Sequence, residues 1–130
     1  MPTGLTRDAG WEIGVSKTLP LPAGTLWDFV VSPEGVGIWL GGTRGPLPTE
    51  KGARYETEAG VTGEVRGYRP GDRVRLTHGT TTVQVTVSAS GPARAVLAFH
   101  EEHLPDAAAR AARRTHWKAV LSRMEAALTA

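Results

Sequence analysis

The run His100-Glu101-Glu102-His103 puts two histidines and two carboxylates into four consecutive residues, the densest group of metal-ligating and acid–base side chains in the chain. Helical zinc proteases hold their paired histidines four residues apart on one helix face. Here the histidines are three apart at the end of an alternating strand pattern, and odd spacing on a strand sends side chains to opposite faces. The expectation is a polar strand exit, with no bound metal. His78 ends another alternating run, Arg73 to His78, and would place one polar group on an apolar face. His116 stands beside Trp117 in a helical pattern, within reach of Glu101 or Glu102, and reads as a hydrogen-bonded structural histidine. No Gly-x-Ser-x-Gly elbow occurs. The loop Gly41-Gly42-Thr43-Arg44-Gly45 lacks both the Lys-Ser/Thr ending of a phosphate loop and the Rossmann spacing. The chain has no cysteine, which removes disulfides, thiolate zinc sites, iron–sulfur clusters and a Cys nucleophile, and fits a reducing compartment. No catalytic residue, metal or cofactor is therefore expected. His78 and Glu101 are the groups an enzyme would use as acid or base, but nothing in the sequence shows a buried carboxylate, without which a useful pKa shift has no cause.

These groups must be held by elements that the periodicity predicts. Trp11 to Lys17 alternates apolar and polar, as a half-buried strand does. Pro20 and Pro22 end it. Leu26, Trp27, Phe29 and Val30 follow at helical spacing, and Ser32-Pro33 then supplies the cap and first position of a short second helix carrying Val36, Trp39 and Leu40. Gly41-Gly42 stops it, and Thr43 to Gly52 reads as a loop. A weak strand at Ala53–Glu58 precedes four stronger ones: Val61–Tyr68, Arg73–His78, Thr81–Ser88 and Arg94–Glu102. Turns at Pro70-Gly71, Gly79 and Ser90-Gly91-Pro92 separate them. Pro105-Asp106 opens a helix predicted over about Asp106 to Ala127, with Trp117, Val120, Leu121, Met124 and Leu128 on one stripe. Strands run consecutively, which favours an antiparallel α+β domain over a parallel α/β sheet. The 130 residues fit a single domain over 11–130 behind a loose arm at 1–10.

In that order, several pieces resemble the START-like helix-grip (SRPBCC) superfamily, and within it the group named after the activator of Hsp90 ATPase. They are Leu21-Pro22-Ala23 with Trp27, Ser32-Pro33-Glu34-Gly35 with Trp39-Leu40-Gly41, Gly63-Glu64-Val65-Arg66, Pro70 to Thr77, Phe99-His100 with Glu102, and His116-Trp117 with Val120-Leu121. The likeness runs from about Trp11 to Leu128. It implies a curved antiparallel sheet of about six strands wrapped around the C-terminal helix, with a cavity between them. Members of the superfamily bind lipids, hormones or polyketides, or act as cyclases. Members of the group often carry Trp where this chain has His78, so a pocket here would be more polar.

Alternation places Leu76, His78, Val85 and Phe99 on the inner sheet face. With Trp39 and Leu40 from the short helix and Trp117 and Leu121 from the long one, they form the predicted wall of a ligand pocket, His78 being its polar group. The opposite face collects Glu64, Arg66, Arg73, Arg75, Gln84, Arg94, His100 and Glu102, a solvated surface of cross-strand charge pairs. The function expected is binding of a small apolar or amphipathic molecule. A cyclase or dehydratase in the same cavity and a chaperone-interaction domain are the alternatives. A net charge of +2 gives no case for nucleic acid, no apolar run is long enough for a membrane span, and the N-terminus lacks an apolar signal core. A cytoplasmic protein is expected, and a homodimer is compatible with the sequence.

Overall fold

The computed structural model describes residues 3–6 and 10–129. The strands are β1 (Leu5–Thr6), β2 (Gly10–Leu19), β3 (Arg54–Glu56), β4 (Thr62–Arg69), β5 (Arg73–His78), β6 (Thr81–Ala89) and β7 (Ala95–Leu104). The helices are α1 (Ala23–Val30), α2 (Pro33–Trp39) and α3 (Ala107–Thr129). All strands pair antiparallel in the order β1-β2-β7-β6-β5-β4-β3. The class is α+β, as expected. The sheet has seven strands rather than six, because Leu5–Thr6 folds back on Trp11 and Gly10. That part of the expected loose arm is paired, and Arg110 of α3 pins the hairpin by donating from Nε to the Glu12 carbonyl at 2.7 Å. Residues 1, 2 and 7–9 of the arm lie outside the described residues.

Local chemistry explains the element ends. Ser32 Oγ accepts from the Gly35 N–H at 3.1 Å, and Pro33 takes the first position of α2, where a missing N–H costs nothing. Asp106 caps α3, its Oδ1 accepting from the Ala109 N–H at 2.7 Å. Gly35 is required by packing: a Cβ there would overlap the Phe29 carbonyl oxygen of α1. Gly35→Ala should therefore destabilise the protein by about 1–3 kcal/mol, the cost of overpacking a tight contact, despite alanine's better helix propensity. Urea unfolding would measure it, and a stabilised variant would mean that α1 and α2 can part cheaply.

The core lies between the inner sheet face and the helices. Val74, Leu76, Val85 and Leu97 of the sheet and Leu26, Val30, Trp117 and Met124 of the helices are all buried. α1 rests on β6 and β7, while α3 runs along β2 and β7 and meets α2. Two bulges break strict alternation. One falls between Val65 and Gly67 of β4 and turns Tyr68 inward, edge-on to Trp27 with centroids 5.7 Å apart. The other falls where β7 passes Trp11 and Ile13 of β2, with His103 at φ 64°. It corrects the expectation that His100 and His103 part to opposite faces. The extra residue brings His100 Nδ1 to 3.4 Å and His103 Nε2 to 3.9 Å from the same Glu102 carboxylate. That carboxylate is already taken by Arg75, which donates from both Nη atoms at 3.0 and 3.2 Å. The outer face carries charge pairs: Arg75 of β5 reaches Glu102 of β7 across strands as predicted, while Arg66 and Glu64 pair along β4.

Candidate functional site

Glu101 follows Ala95, Leu97 and Phe99 on the inner face of β7 and is 2 % exposed. A bare carboxylate in that position would be costly. Three donors converge on it instead. Thr81 Oγ1 donates to Oε2 at 2.7 Å, while Arg113 Nε and Trp117 Nε1 donate to Oε1 at 2.7 and 2.9 Å. Burial alone would raise its pKa, but the three hydrogen bonds and the Arg113 charge outweigh it and hold the carboxyl below its ordinary value. Glu101 is thus an ionised, fully engaged anchor. Arg113 and Trp117 are four residues apart on α3 and so share one helix face. The Arg113 guanidinium carbon lies 5.4 Å from the centre of the Trp117 ring.

His78, at the end of β5, completes the cluster. Its ring lies parallel to Tyr55 of β3, centroids 6.4 Å apart at 7°. The Tyr55 hydroxyl lies 2.5 Å from the Thr77 carbonyl and 3.1 Å from His78 Nδ1. A carbonyl can only accept, so the hydroxyl proton goes to Thr77 and Nδ1–H of His78 donates to the Tyr55 oxygen. This fixes the tautomer and leaves Nε2 as an acceptor. Burial pushes the Tyr55 phenol up, so it stays a donor. Burial lowers the His78 pKa, with Glu101 pulling it up and Arg113 adding to the fall. Gly63 makes this possible, since a Cβ there would overlap the Thr77 carbonyl oxygen and the Tyr55 ring.

A cleft of about 290 Å³ opens onto this cluster between α2 and α3. Trp39, Leu40, His78 and Trp117, all expected as pocket wall, line it, together with Arg113, His116 and Arg123, which were not. The other expected wall residues are placed elsewhere. Leu76 and Val85 are sealed at 0 % exposure. Phe99 is stacked at 4.9 Å on Trp117 and lies 6.2 Å from Trp39, so aromatic rings fill the space between sheet and helix. Leu121 faces a separate groove between β2 and α3, beside Lys17 and Lys118. The opening is therefore smaller, more polar and nearer the end of α2 than the deep apolar cavity anticipated. His116 sits at the rim, edge-on to Trp117 at 4.8 Å, while the side-chain donors to Glu101 are Thr81, Arg113 and Trp117. Glu101 was the residue that sequence reasoning undervalued, although continuing the period from Phe99 by two would have found it.

No protein-family model matches the chain, and no curated protein matches it. Solved structures do. DynU16, described as a protein of the dynemicin biosynthetic locus, superposes with a TM-score of 0.77 at 22 % identity, over 91 % of this chain and 47 % of that one. MLL2253 from Mesorhizobium loti gives 0.76 at 17 % identity, over 91 % and 96 %. This is a helix-grip fold. CalU16 from Micromonospora echinospora shares it, with a TM-score of 0.74 at 15 % identity over 88 % and 71 % of the two chains. The chain spans about half the length of DynU16 and nearly all of the Mesorhizobium protein. Within the helix grip, the Glu101 cluster ties α3 to the start of β6 and the far part of β7, beside the end of β5. No helix among the described residues is long and apolar enough to cross a membrane.

Proposed function

We propose that the chain is a small-molecule-binding domain whose ligand occupies the cleft between α2 and α3. The observation that carries this is the Glu101 cluster. An arginine, a tautomer-fixed histidine and two tryptophans line one opening, and a buried carboxylate behind them holds the arginine and one of the tryptophans. Buried polar networks of this kind are costly unless complete, and a core that needed only stability could be built without one. Pockets that combine apolar walls with a few placed polar groups are the usual form of small-molecule sites. DynU16's place in a biosynthetic locus supports a ligand of the small-molecule kind, and the fold likeness to it supports the location.

Two measurements test the reading. Native mass spectrometry of freshly purified protein would reveal a co-purified ligand by its mass. Titration with the neutral dye N-phenylnaphthylamine, followed by dye fluorescence and tryptophan quenching, should saturate near one equivalent. Gly37 lines the cleft, and a Cβ there would meet nothing within 4 Å, so Gly37→Trp can start a bulky side chain into the opening without a backbone clash. That variant should bind the dye at least about tenfold more weakly, a loss of about 1.4 kcal/mol, while unfolding at the wild-type midpoint. Undiminished binding would place the dye elsewhere and remove the cleft from consideration.

A further inference from the structure

Arg113 is held along one edge and left open along the other. Its Nε donates to Glu101 and its plane rests near the Trp117 ring, yet no hydrogen bond engages Nη1 or Nη2 among the described residues. The side chain is 31 % exposed and lines the cleft between α2 and α3. A guanidinium fixed in this way has lost most of its freedom before any ligand arrives, so its remaining N–H groups can be used at little further entropic cost.

Charge selects the occupant. Arg113 and Arg123 both line the cleft, as do His78 and His116. The one carboxylate at hand, Glu101, already accepts from Thr81, Arg113 and Trp117 and is 2 % exposed. Two cations against one carboxylate leave one positive charge unbalanced. Trp39, Leu40 and Ile38 supply an apolar wall beside it.

We propose that the ligand of this cleft is an amphipathic monocarboxylate, its carboxylate seated on the Nη1–Nη2 edge of Arg113 and its apolar body against Ile38, Trp39 and Leu40. The proposal rests on the reading of the cleft as a ligand site and adds the ligand's charge and the residue that receives it. An arginine fork meets a carboxylate through two parallel N–H···O bonds, a geometry that a hydroxyl cannot reproduce. Arg123 contributes attraction from the rim. Glu101 is a positioning residue that holds the fork in its plane.

The test compares octanoate with 1-octanol, which share a chain length and differ in the head. Isothermal titration calorimetry at pH 7.5 and fixed ionic strength should give about one equivalent of octanoate, bound at least about tenfold more tightly than 1-octanol. Arg113→Gln should erase that preference, so that the variant binds octanoate no more tightly than it binds 1-octanol, with near-ultraviolet circular dichroism checking the fold. If that variant does not fold, the wild-type protein still decides: octanoate, and not octanol, should shift the Arg113 side-chain resonances in proton–nitrogen spectra. Equal affinity for the two, a preference that survives Arg113→Gln, or unmoved Arg113 resonances would overturn the carboxylate assignment and leave the cleft reading intact. Absence of saturable binding by octanoate, octanol and the neutral dye together would overturn both.

Discussion

Trp117→Ala should lower the unfolding free energy by about 3–5 kcal/mol, the range for deleting a large buried aromatic. Three losses add at this one position. The ring is 1 % exposed and stacks on Phe99 at 4.9 Å, so its removal opens a void in the aromatic layer between sheet and helix. Its Nε1–H is one of three donors to the buried Glu101 carboxylate. Its face also supports the Arg113 guanidinium. Trp117→Phe keeps most of the packing and loses only the hydrogen bond and some ring area, so it should cost clearly less. Denaturant unfolding at neutral pH measures both. Equal costs for the two variants would mean that the indole N–H dominates and that packing at this seam is loose. A change within error for Trp117→Ala would contradict the packing described.

Why the fold was legible and its details less so follows from particular residues. The period-two pattern over Arg73–His78 and Thr81–Ser88 is carried by Val and Leu with no competing signal, and both strands lie where the pattern put them. Ser32-Pro33 and Pro105-Asp106 announce α2 and α3 because capping is local chemistry. The bulges are different. Whether Arg66 or His103 is the extra residue depends on which strand lies opposite, and no local pattern records that. The two-residue strand β1 is too short for any periodicity. Its pairing rests on a hairpin that Arg110 holds from the far end of the chain.

The site was half legible for the same reason. Trp39, Leu40, His78 and Trp117 could be placed by alternation and helix phase. Leu76, Val85 and Phe99 share that inward face, but Phe99 meets the rings of Trp39 and Trp117, and sequence alone does not show how rings interlock. Glu101 failed to stand out because a charged residue near a strand end is ordinarily exposed. Its burial depends on Arg113, twelve residues on, and Trp117, sixteen residues on, arriving from another element. Once α3 is in place, Arg113 reads as one more position on the stripe of Trp117, Val120, Leu121 and Met124.

That dependence leads to the second large effect. Arg113→Met keeps a linear side chain over Trp117 and removes the charge. It should cost about 3 kcal/mol, the low end for stripping one partner from a buried ion pair, because Arg113 is a third exposed and water can partly replace it. The penalty arises from the carboxylate left behind, so Glu101→Gln/Arg113→Met should be more stable than Arg113→Met alone. The pH dependence gives an independent check. The Glu101 pKa is lower folded than unfolded, so its contribution is present above the ordinary value of 4.5 and is lost as pH falls below it. His78 and His116 also have lowered folded pKa values, His78 through burial and then Arg113, His116 through burial and then Arg113 and Arg123, each against an opposing pull from Glu101. A group held neutral in the folded state costs stability once the unfolded chain begins to take up protons. For the histidines that begins as pH falls through 6.5. Urea unfolding from pH 8 to about 3 should therefore show stability falling in two stages, the first near 6.5 and the second below 4.5, where Glu102, held below its ordinary value by the hydrogen bonds it accepts from Arg75, adds to the fall. His78→Gln should flatten the first stage in part, and Glu101→Gln the second. A Glu101→Gln curve parallel to wild type below pH 4.5 would mean that another carboxylate governs acid unfolding and that the buried anchor of Arg113 and Trp117 is not held in its ionised form.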